Sequence, residues 1–286
     1  MDELYTRISK IAKQSLYQFM KDEKSSLLNY SFQPYFDDCI KENDIQVISH
    51  HFSNHKIEGL TIIDSSGISI SYEKDNPKVK QNFTLCHELG HFLLQHEGTY
   101  FTETADTQEM TDEREANVFS AVILMPDIVL LSKIYYSCDS FEQVQESLSV
   151  SKQALYFRLL DLIRAYFPDE ENQIKDALEL YQEGQNPEIH QYFDRIKEYI
   201  ITEYDHFQPS LVNKVRRALR EKAMVTSQEL PFLLNEDDWS LIRQSLSNVK
   251  VWLIYNKGKT IAYAWDSAKL SDQQARKKAE LELLLM

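Results

Sequence analysis

The segment at residues 84–93, TLCHELGHFL, restricts the fold of this chain more than any other. It contains two histidines four positions apart, with Glu88 directly after the first, and apolar residues at helical spacing surround them. Residues four apart on a helix differ by about 40° of rotation, so His87 and His91 point the same way, one turn apart. The fold must therefore build a core around a helix that carries two imidazoles and a carboxylate.

These residue types at this spacing indicate metal chemistry. Two imidazoles one turn apart can both reach one Zn²⁺ at about 2.0–2.1 Å. Glu88 lies about 100° round the helix, where its carboxylate can act as a general base beside the ion rather than as a ligand. The alternative is an ordinary core helix, because the chain has eight histidines and such a string can arise by chance. Gly90 costs about 1 kcal/mol relative to alanine inside a helix, which predicts that another segment approaches closely there.

A catalytic zinc site normally takes three protein ligands, and the segment 112–126, DEREANVFSAVILMP, supplies the candidate. It predicts a helix with Ala116 and Phe119 on its buried side. Glu115 lies at the margin of that side and is predicted to be the third ligand, with a solvent-exposed or salt-bridged Glu115 as the alternative. Glu113, about 160° away, is predicted to face solvent. His96 is predicted to be a surface residue at the end of the first helix.

The two segments together resemble the ImmA/IrrE family of zinc metallopeptidases. The resemblance rests on FTLCHELGHFLLQH (83–96) followed by EREANVFSAVILMP (113–126), and with the flanking segments it covers residues 45–165. It implies one zinc ion per chain held by His87, His91 and Glu115, with Glu88 as the catalytic acid and base. It also implies a protein substrate, a helix-turn-helix transcriptional repressor whose cleavage derepresses genes. No residue can be assigned by motif to stabilise the oxyanion.

The composition favours a helix-rich α+β fold. The hydrophobic fraction of 43% is enough for a core, whereas six glycines and seven prolines argue against a many-turned β-sandwich. The sequence predicts a zincin-like peptidase domain at 1–168 and an α+β accessory domain of unassigned role at 169–286. Within these ranges it predicts a surface loop at 97–111, a helix that stops before Pro126, a helix N-cap at Ser151 and a hairpin at 249–265. Residues 57–72 predict two strands joined by a turn, and GISISY (67–72) could be an edge strand that aligns a peptide by strand addition.

Charge and motif content limit the possible partners. A net charge of −14 disfavours nonspecific attraction to nucleic acid or anionic lipid. The segment 140–165 has helix-turn-helix form, but it carries only three bases, Lys152, Arg158 and Arg164, so direct DNA binding is not favoured. Three scattered cysteines, no apolar leader and no membrane-spanning run predict a cytoplasmic protein.

Three hypotheses about function follow from these patterns. The first is a zinc endopeptidase that inactivates a regulatory protein. The second is an anti-repressor that binds its partner without cutting it, with a structural or idle metal site. The third is a DNA-binding regulator that uses residues 140–163. A His₂Glu site also accepts manganese and other divalent ions, so the metal identity is not fixed by the residues.

Overall fold

The computed structural model describes residues 3–51, 57–96, 100–102 and 111–286, and it confirms a helix-rich α+β fold. The chain forms two compact units, Met1–Phe207 and Gln208–Met286. The segment 97–111, predicted to be a surface loop, lies largely outside the described residues; residues 100–102 form a short strand.

Four strands form the sheet of the first unit. In spatial order β1-β3-β2-β4, they are β1 (Ile45–His50), β3 (Gly67–Glu73), β2 (Gly59–Asp64) and β4 (Tyr100–Thr102). β2 and β3 form the predicted antiparallel pair, and β1 runs parallel to β3. The prediction that GISISY is an edge strand is therefore wrong. This segment is β3, which has β2 along one edge and β1 along the other.

Two helices carry the two predicted motifs and pack against each other. α3 (Lys78–Leu93) carries HELGH, and α4 (Thr111–Leu124) carries EREAN and ends just before Pro126, as predicted. They pack closely at Gly90, where a Cβ would lie 3.1 Å from Phe119 Cδ1 and 3.4 Å from the Ala116 Cα. Gly90 thus has the close neighbour that its helical position predicts.

The described residues of the first unit form seven further α-helices. They are α1 (Glu3–Asp22), α2 (Gln33–Glu42), α5 (Asp127–Leu131), α6 (Phe141–Leu148), α7 (Lys152–Tyr166), α8 (Glu171–Gln182) and α9 (Pro187–Asp205). α6 and α7 form the predicted helix-turn-helix pair, and the Ser151 hydroxyl caps α7 by accepting a hydrogen bond from the Ala154 amide, at 3.0 Å. Within the described ranges, no single helix has the length and apolar composition needed to cross a membrane. The two helical segments Thr111–Leu124 and Asp127–Tyr136, which are bent by 45° where they meet, reach that length and composition only when they are taken together.

The first unit extends further than the boundary predicted at residue 168. α8 and α9 contribute buried residues such as Leu178, Phe193 and Ile196 to the same core as α1, α4 and α7. Lys13 of α1 also bonds Glu203 of α9 at 2.7 Å. Pro168 begins a short 3₁₀ turn that leads directly into α8, so the proline marks a change of helix and not a change of domain.

The second unit is a small α+β fold. It contains α10 (Leu211–Glu221), β5 (Met224–Thr226), α11 (Trp239–Ser245), β6 (Val249–Asn256), β7 (Lys259–Asp266) and α12 (Asp272–Leu285). The antiparallel sheet has the order β5-β7-β6, with the predicted hairpin between β6 and β7. α10 and α11 share one buried cluster with the sheet, and α12 shares the other, so the central strand β7 is covered on both faces.

Candidate metal centre

The two histidines of HELGH lie together in the interior of the first unit. His87 and His91 are each 1% exposed, and their Nε2 atoms are 3.0 Å apart. Their rings are 4.7 Å apart, centroid to centroid, and nearly perpendicular. The one-turn spacing on α3 therefore brings both imidazoles to one point, as the sequence predicts.

The acidic residue at this point is Glu113 of α4. Its Oε2 atom lies 3.1 Å from His87 Nε2, and its Oε1 atom lies 3.5 Å from His91 Nε2. His87, His91 and Glu113 form a buried group whose ligand atoms all lie within 4.8 Å of one another, which is compact enough to hold one metal ion. The prediction that Glu113 faces solvent is wrong, since this residue is only 7% exposed.

Glu115, predicted to be the third ligand, bonds elsewhere. Its Oε2 atom accepts a hydrogen bond from His96 Nε2 at 3.2 Å, and its Oε1 atom pairs with the Arg7 guanidinium of α1. His96 is in turn 2.8 Å from His91, Nδ1 to Nδ1, and its side chain is only 5% exposed, so it is not the predicted surface residue. Glu115 thus reaches the candidate centre only through His96.

Helical spacing explains why Glu113 and not Glu115 faces the histidines. The side of α4 that packs on α3 carries Ala116 and Asn117 and, one turn further, Ser120, whose hydroxyl bonds the Phe83 carbonyl at 3.0 Å. The position one turn before Ala116 and Asn117 is 113, whereas 115 is rotated by about 100° from 116. In the sequence, the polar residues at 113, 117 and 120 have the spacing i, i+4 and i+7. This pattern could have identified the side of α4 that faces α3.

The hydrogen bonds of the two histidines are consistent with a proton on the Nδ1 atom of each ring. His87 donates through Nδ1 to Asn117 Oδ1 at 2.9 Å, which leaves the lone pair of Nε2 directed toward Glu113. His91 donates through Nδ1 to His96 Nδ1, and His96 then carries its own proton on Nε2 and donates to Glu115. A supporting acceptor behind each ring is the usual arrangement around metal-binding histidines.

The donor set therefore fits a cation. With these tautomers, two Nε2 lone pairs and a carboxylate converge within 3.0–3.5 Å, and the Nδ1 proton of each ring lies on the far side. Burial, with the charges that His87 and His96 would carry, lowers the pKa of His91 to about 3, so this ring is neutral at pH 7. Two imidazoles and one carboxylate are a suitable ligand set for a catalytic divalent ion.

Glu88 is held by the neighbouring strand. It is fully buried, and its Oε2 atom accepts a hydrogen bond from the hydroxyl of Thr61 on β2 at 2.6 Å. A Cβ at Gly59, the first residue of β2, would overlap Glu88 Oε1 and would lie 2.5 Å from Thr84 Cγ2. Gly59 and Thr61 thus form a seat for the carboxylate, which no motif in the sequence revealed.

The family comparison covers the part of the chain that builds this centre. Residues 40–160 match the sequence model of the peptidase M78 family, described as the IrrE N-terminal-like domain. No curated protein matches the chain at a significant level. The matched range contains the four-stranded sheet, α3, α4 and the helix-turn-helix pair up to Leu160. The resemblance seen in the motifs is confirmed for this segment, which is similar to the N-terminal-like domain of the IrrE peptidases.

Proposed function

We propose that this protein is a zinc-dependent endopeptidase that cuts and inactivates a regulatory protein, a helix-turn-helix transcriptional repressor. The observation that carries the proposal is the convergence of His87, His91 and Glu113, with Glu88 on the same helix as the histidines. The match of residues 40–160 to a peptidase family supports the hydrolytic class of the reaction. The family resemblance supports the choice of a repressor as substrate.

The proposed ligands are His87, His91 and Glu113. A zinc ion held there would supply Lewis-acid polarisation of the scissile carbonyl and would make water a stronger acid. Asn117 keeps His87 in the tautomer that binds a cation, and His96 does the same for His91. Glu115 and Arg7 then hold His96 in its orientation.

Glu88 has the proton-transfer role in this proposal. It follows His87 directly, and the bond from Thr61 directs one carboxylate oxygen toward β2. Glu88 takes a proton from the attacking water and passes it to the leaving amine nitrogen. Glu88 is fully buried, and the low polarity of this position strengthens the hydrogen bonds that its carboxylate makes.

The direct test compares wild-type protein with Glu88→Gln. Each is loaded with one equivalent of zinc and incubated with a purified helix-turn-helix repressor encoded beside this protein, and the fragments are identified by mass spectrometry. We expect defined cleavage by the wild type and a rate at least about 100-fold lower for Glu88→Gln, since general acid–base groups contribute about 10²–10⁴-fold. Equal cleavage by the two proteins would refute the role of Glu88.

The anti-repressor hypothesis gives the opposite result in the same experiment. If the protein only sequesters its partner, Glu88→Gln should relieve repression as well as the wild type does, and the repressor should stay intact.

The DNA-binding hypothesis has less support. Arg158, one of the three bases in the helix-turn-helix segment, is buried and bonds Asp127, and Arg164 pairs with Asp161. Absence of duplex DNA binding at low salt would remove that hypothesis.

A further inference from the structure

The outer edge of β6, in the second unit, has no paired strand among the described residues. In the sheet order β5-β7-β6, β6 (Val249–Asn256) pairs with β7 along one side only. Its eight residues keep one continuous register and include no proline. Edge strands of native proteins are usually short, bulged or protected by proline, so a long regular edge is a surface to which another strand can pair.

The register identifies which main-chain groups of β6 face outward. Asn256 and Lys259 pair across a two-residue turn, and both residues of that turn have positive φ. The pair next to such a turn exchanges hydrogen bonds, and bonded pairs then alternate along the ladder. The even-numbered residues of β6 therefore bond β7, and the odd-numbered residues direct their amides and carbonyls outward. The bond from Arg243 Nη2 to the Val251 carbonyl, at 2.7 Å, agrees with this assignment.

Several of these outward groups are open to an added strand. The described residues give no hydrogen-bond partner to the amides of Val251, Leu253 and Tyr255 or to the carbonyls of Leu253 and Tyr255. Trp252 and Tyr255 are also 57% and 68% exposed, and they project from opposite faces of the sheet. This combination fits an extended peptide, because strand addition takes affinity from main-chain bonds and specificity from side-chain contacts on both faces.

A cavity of about 440 Å³ adjoins this edge on the face of the sheet that α12 covers. Its lining includes Trp252 of β6 and the stacked rings of Tyr263 and Trp265 of β7. Val251 and Arg243, which lie at the outer edge, also line it, so the cavity reaches the edge itself. Alternate side chains of an added strand project on this face, and one of them would lie at the cavity.

The charge of the lining favours an anionic side chain. Three bases line the cavity, Arg243, Lys250 and Arg276, against one acid, Asp272. Lys250 Nζ lies 2.9 Å from Asp272 Oδ1, and Arg276 Nε donates to Glu280 at 2.9 Å. Both pairs are solvent-exposed, and exposed pairs are weak, so a carboxylate that enters the cavity can compete for these cations.

A buried donor in the same lining also lacks an acceptor. Trp265 is only 5% exposed, and its indole Nε1 has no hydrogen-bond partner within the part of the chain that the structure describes. Nearly all buried donors in folded proteins are paired. A carboxylate oxygen in the cavity would supply the acceptor.

The charge of the whole unit agrees with that of the cavity. Residues 208–286 contain 13 bases and nine acids, a net charge of +4, whereas residues 1–207 contain 18 bases and 36 acids, a net charge of −18. The acidity of the chain is therefore confined to the first unit. Long-range attraction brings an acidic partner to the second unit, and it repels a second copy of the same unit.

We propose that the outer edge of β6 binds an extended acidic segment of a partner protein by strand addition, with a Glu or Asp side chain of that segment in the adjacent cavity. The open main-chain groups select a polypeptide, because nucleic acid has no amide ladder to complete the sheet. The basic lining selects an anionic side chain. This inference does not depend on the proposed peptidase function, since the edge and the cavity lie in the second unit.

The first test measures the fluorescence anisotropy of a labelled peptide, EVEVEVE, blocked at both ends and titrated with full-length Glu88→Gln protein. This background keeps the peptide intact if the chain is a peptidase. The peptide KVKVKVK is the charge control. We expect saturable binding of the acidic peptide, at least about tenfold tighter than the basic one and weaker as the salt concentration rises. Equal affinity for both peptides, or no binding of either, would overturn the inference.

Two N-methylated forms of the acidic peptide test the ladder directly. One form carries the methyl groups on the amides of the glutamates, and the other carries them on the amides of the valines. In an added strand only one of these two sets of amides faces β6. We expect one form to bind as the parent peptide does and the other to bind at least about tenfold more weakly. An equal effect of methylation in both forms contradicts strand addition.

Tyr255→Pro and Tyr255→Ala are a matched pair of protein variants. Both remove the exposed ring, but only proline removes an outward amide, and proline is tolerated in an edge strand where that amide faces solvent. We expect Tyr255→Pro to bind at least about tenfold more weakly than Tyr255→Ala, with both folded by circular dichroism. Lys250→Glu should reduce the preference for the acidic peptide about fivefold. Equal binding by the Tyr255 pair, or an unchanged preference in Lys250→Glu, refutes the assignment.

The location and class of the occupant are tested with the same proteins. The three tryptophans of the chain all lie in the second unit, so the acidic peptide should change the intrinsic tryptophan emission; binding without such a change places the peptide elsewhere and overturns the inference. A single-stranded oligodeoxythymidylate should not displace the peptide. Displacement by it identifies a nucleic-acid site instead. Self-association that Tyr255→Pro abolishes, without peptide binding, identifies a second copy as the occupant and equally refutes the proposal.

Discussion

The assignment of Glu113 rather than Glu115 as the third ligand gives the sharpest prediction. Both glutamates lie at the start of α4 and are equally buried, each 7% exposed. Glu113 contacts the Nε2 atoms of His87 and His91, whereas Glu115 contacts His96. Replacing each with glutamine keeps the shape and removes only the charge, so the pair Glu113→Gln and Glu115→Gln separates the two positions.

The expected losses of zinc affinity differ in size. Glu115 contacts the proposed ligand His91 through His96, and loss of such an outer partner typically weakens metal binding about 10–100-fold, or about 1.4–2.7 kcal/mol. Glu113→Gln removes the proposed anionic ligand itself, so its loss of zinc affinity should exceed that range. For wild type at a free zinc concentration 1,000 times its Kd, binding stabilises the folded state by about 4.1 kcal/mol, a rise in Tm on the order of 10 °C for a unit of this size.

Glutamine at position 113 should not harm the metal-free protein. Its amide can donate to an imidazole Nε2, in place of a carboxylate that faces two lone pairs. We therefore expect Glu113→Gln to have an unchanged or higher Tm without zinc and to lose most of the rise that zinc produces. Glu115→Gln should have a lower Tm without zinc, because His96 and Arg7 lose their partner, and should keep part of the rise.

The assay is competition for zinc against a chromophoric chelator at fixed pH and salt, with thermal unfolding by circular dichroism alongside. Glu142→Gln, on the exposed side of α6, is the matched control and should behave as wild type in both measurements. The assignment fails if Glu115→Gln loses more zinc affinity than Glu113→Gln, or if Glu113→Gln binds zinc as the wild type does.

Two further predictions concern buried contacts of the first unit. Gly59→Ala should destabilise the protein by about 1–3 kcal/mol and slow turnover, because its Cβ overlaps the Glu88 carboxylate; unchanged urea unfolding and turnover would contradict the contact. Asp127→Asn should cost about 3–5 kcal/mol at pH 7, because it leaves the buried Arg158 without its carboxylate partner. Burial alone would raise the pKa of Asp127, but Lys13 and Arg158 outweigh it and hold the pKa below its usual value. The stabilisation is therefore present above the unfolded-state pKa of about 3.9 and is lost as the pH falls through the folded-state pKa, so urea midpoints of wild type and variant should converge in acid.

The sequence predicted those parts of the centre that depend on one helix. His87, Glu88 and His91 share α3, and their relation follows from helical rotation alone. Gly90 and the end of α4 before Pro126 were also predictable, because each is a local constraint with a known cost. The same holds for the cap of α7 at Ser151 and for the hairpin of β6 and β7.

The parts that depend on two elements were harder to predict. Glu113 and Glu115 are both buried, so the amphipathic pattern of α4 does not distinguish them, and only the rotation of α4 against α3 does. Thr61 and Gly59 reach Glu88 across 27 and 29 positions of sequence, through the pairing of a strand with a helix. β1 was missed for the same reason, since a parallel partner requires a crossover connection that leaves no local pattern.

The geometry of α4 gives a physical reason for the order of residues in EREAN. Glu113 reaches the two imidazoles, Glu115 reaches His96, and Asn117 holds His87, while Ala116 is small enough for the approach of Gly90. Only Arg114 of these five residues is exposed. Lengthening or shifting this segment by one residue would rotate these four contact positions by about 100° at once. The spacing within EREAN is therefore fixed, because the contacts of Glu113, Glu115, Ala116 and Asn117 are all set by about one helical turn.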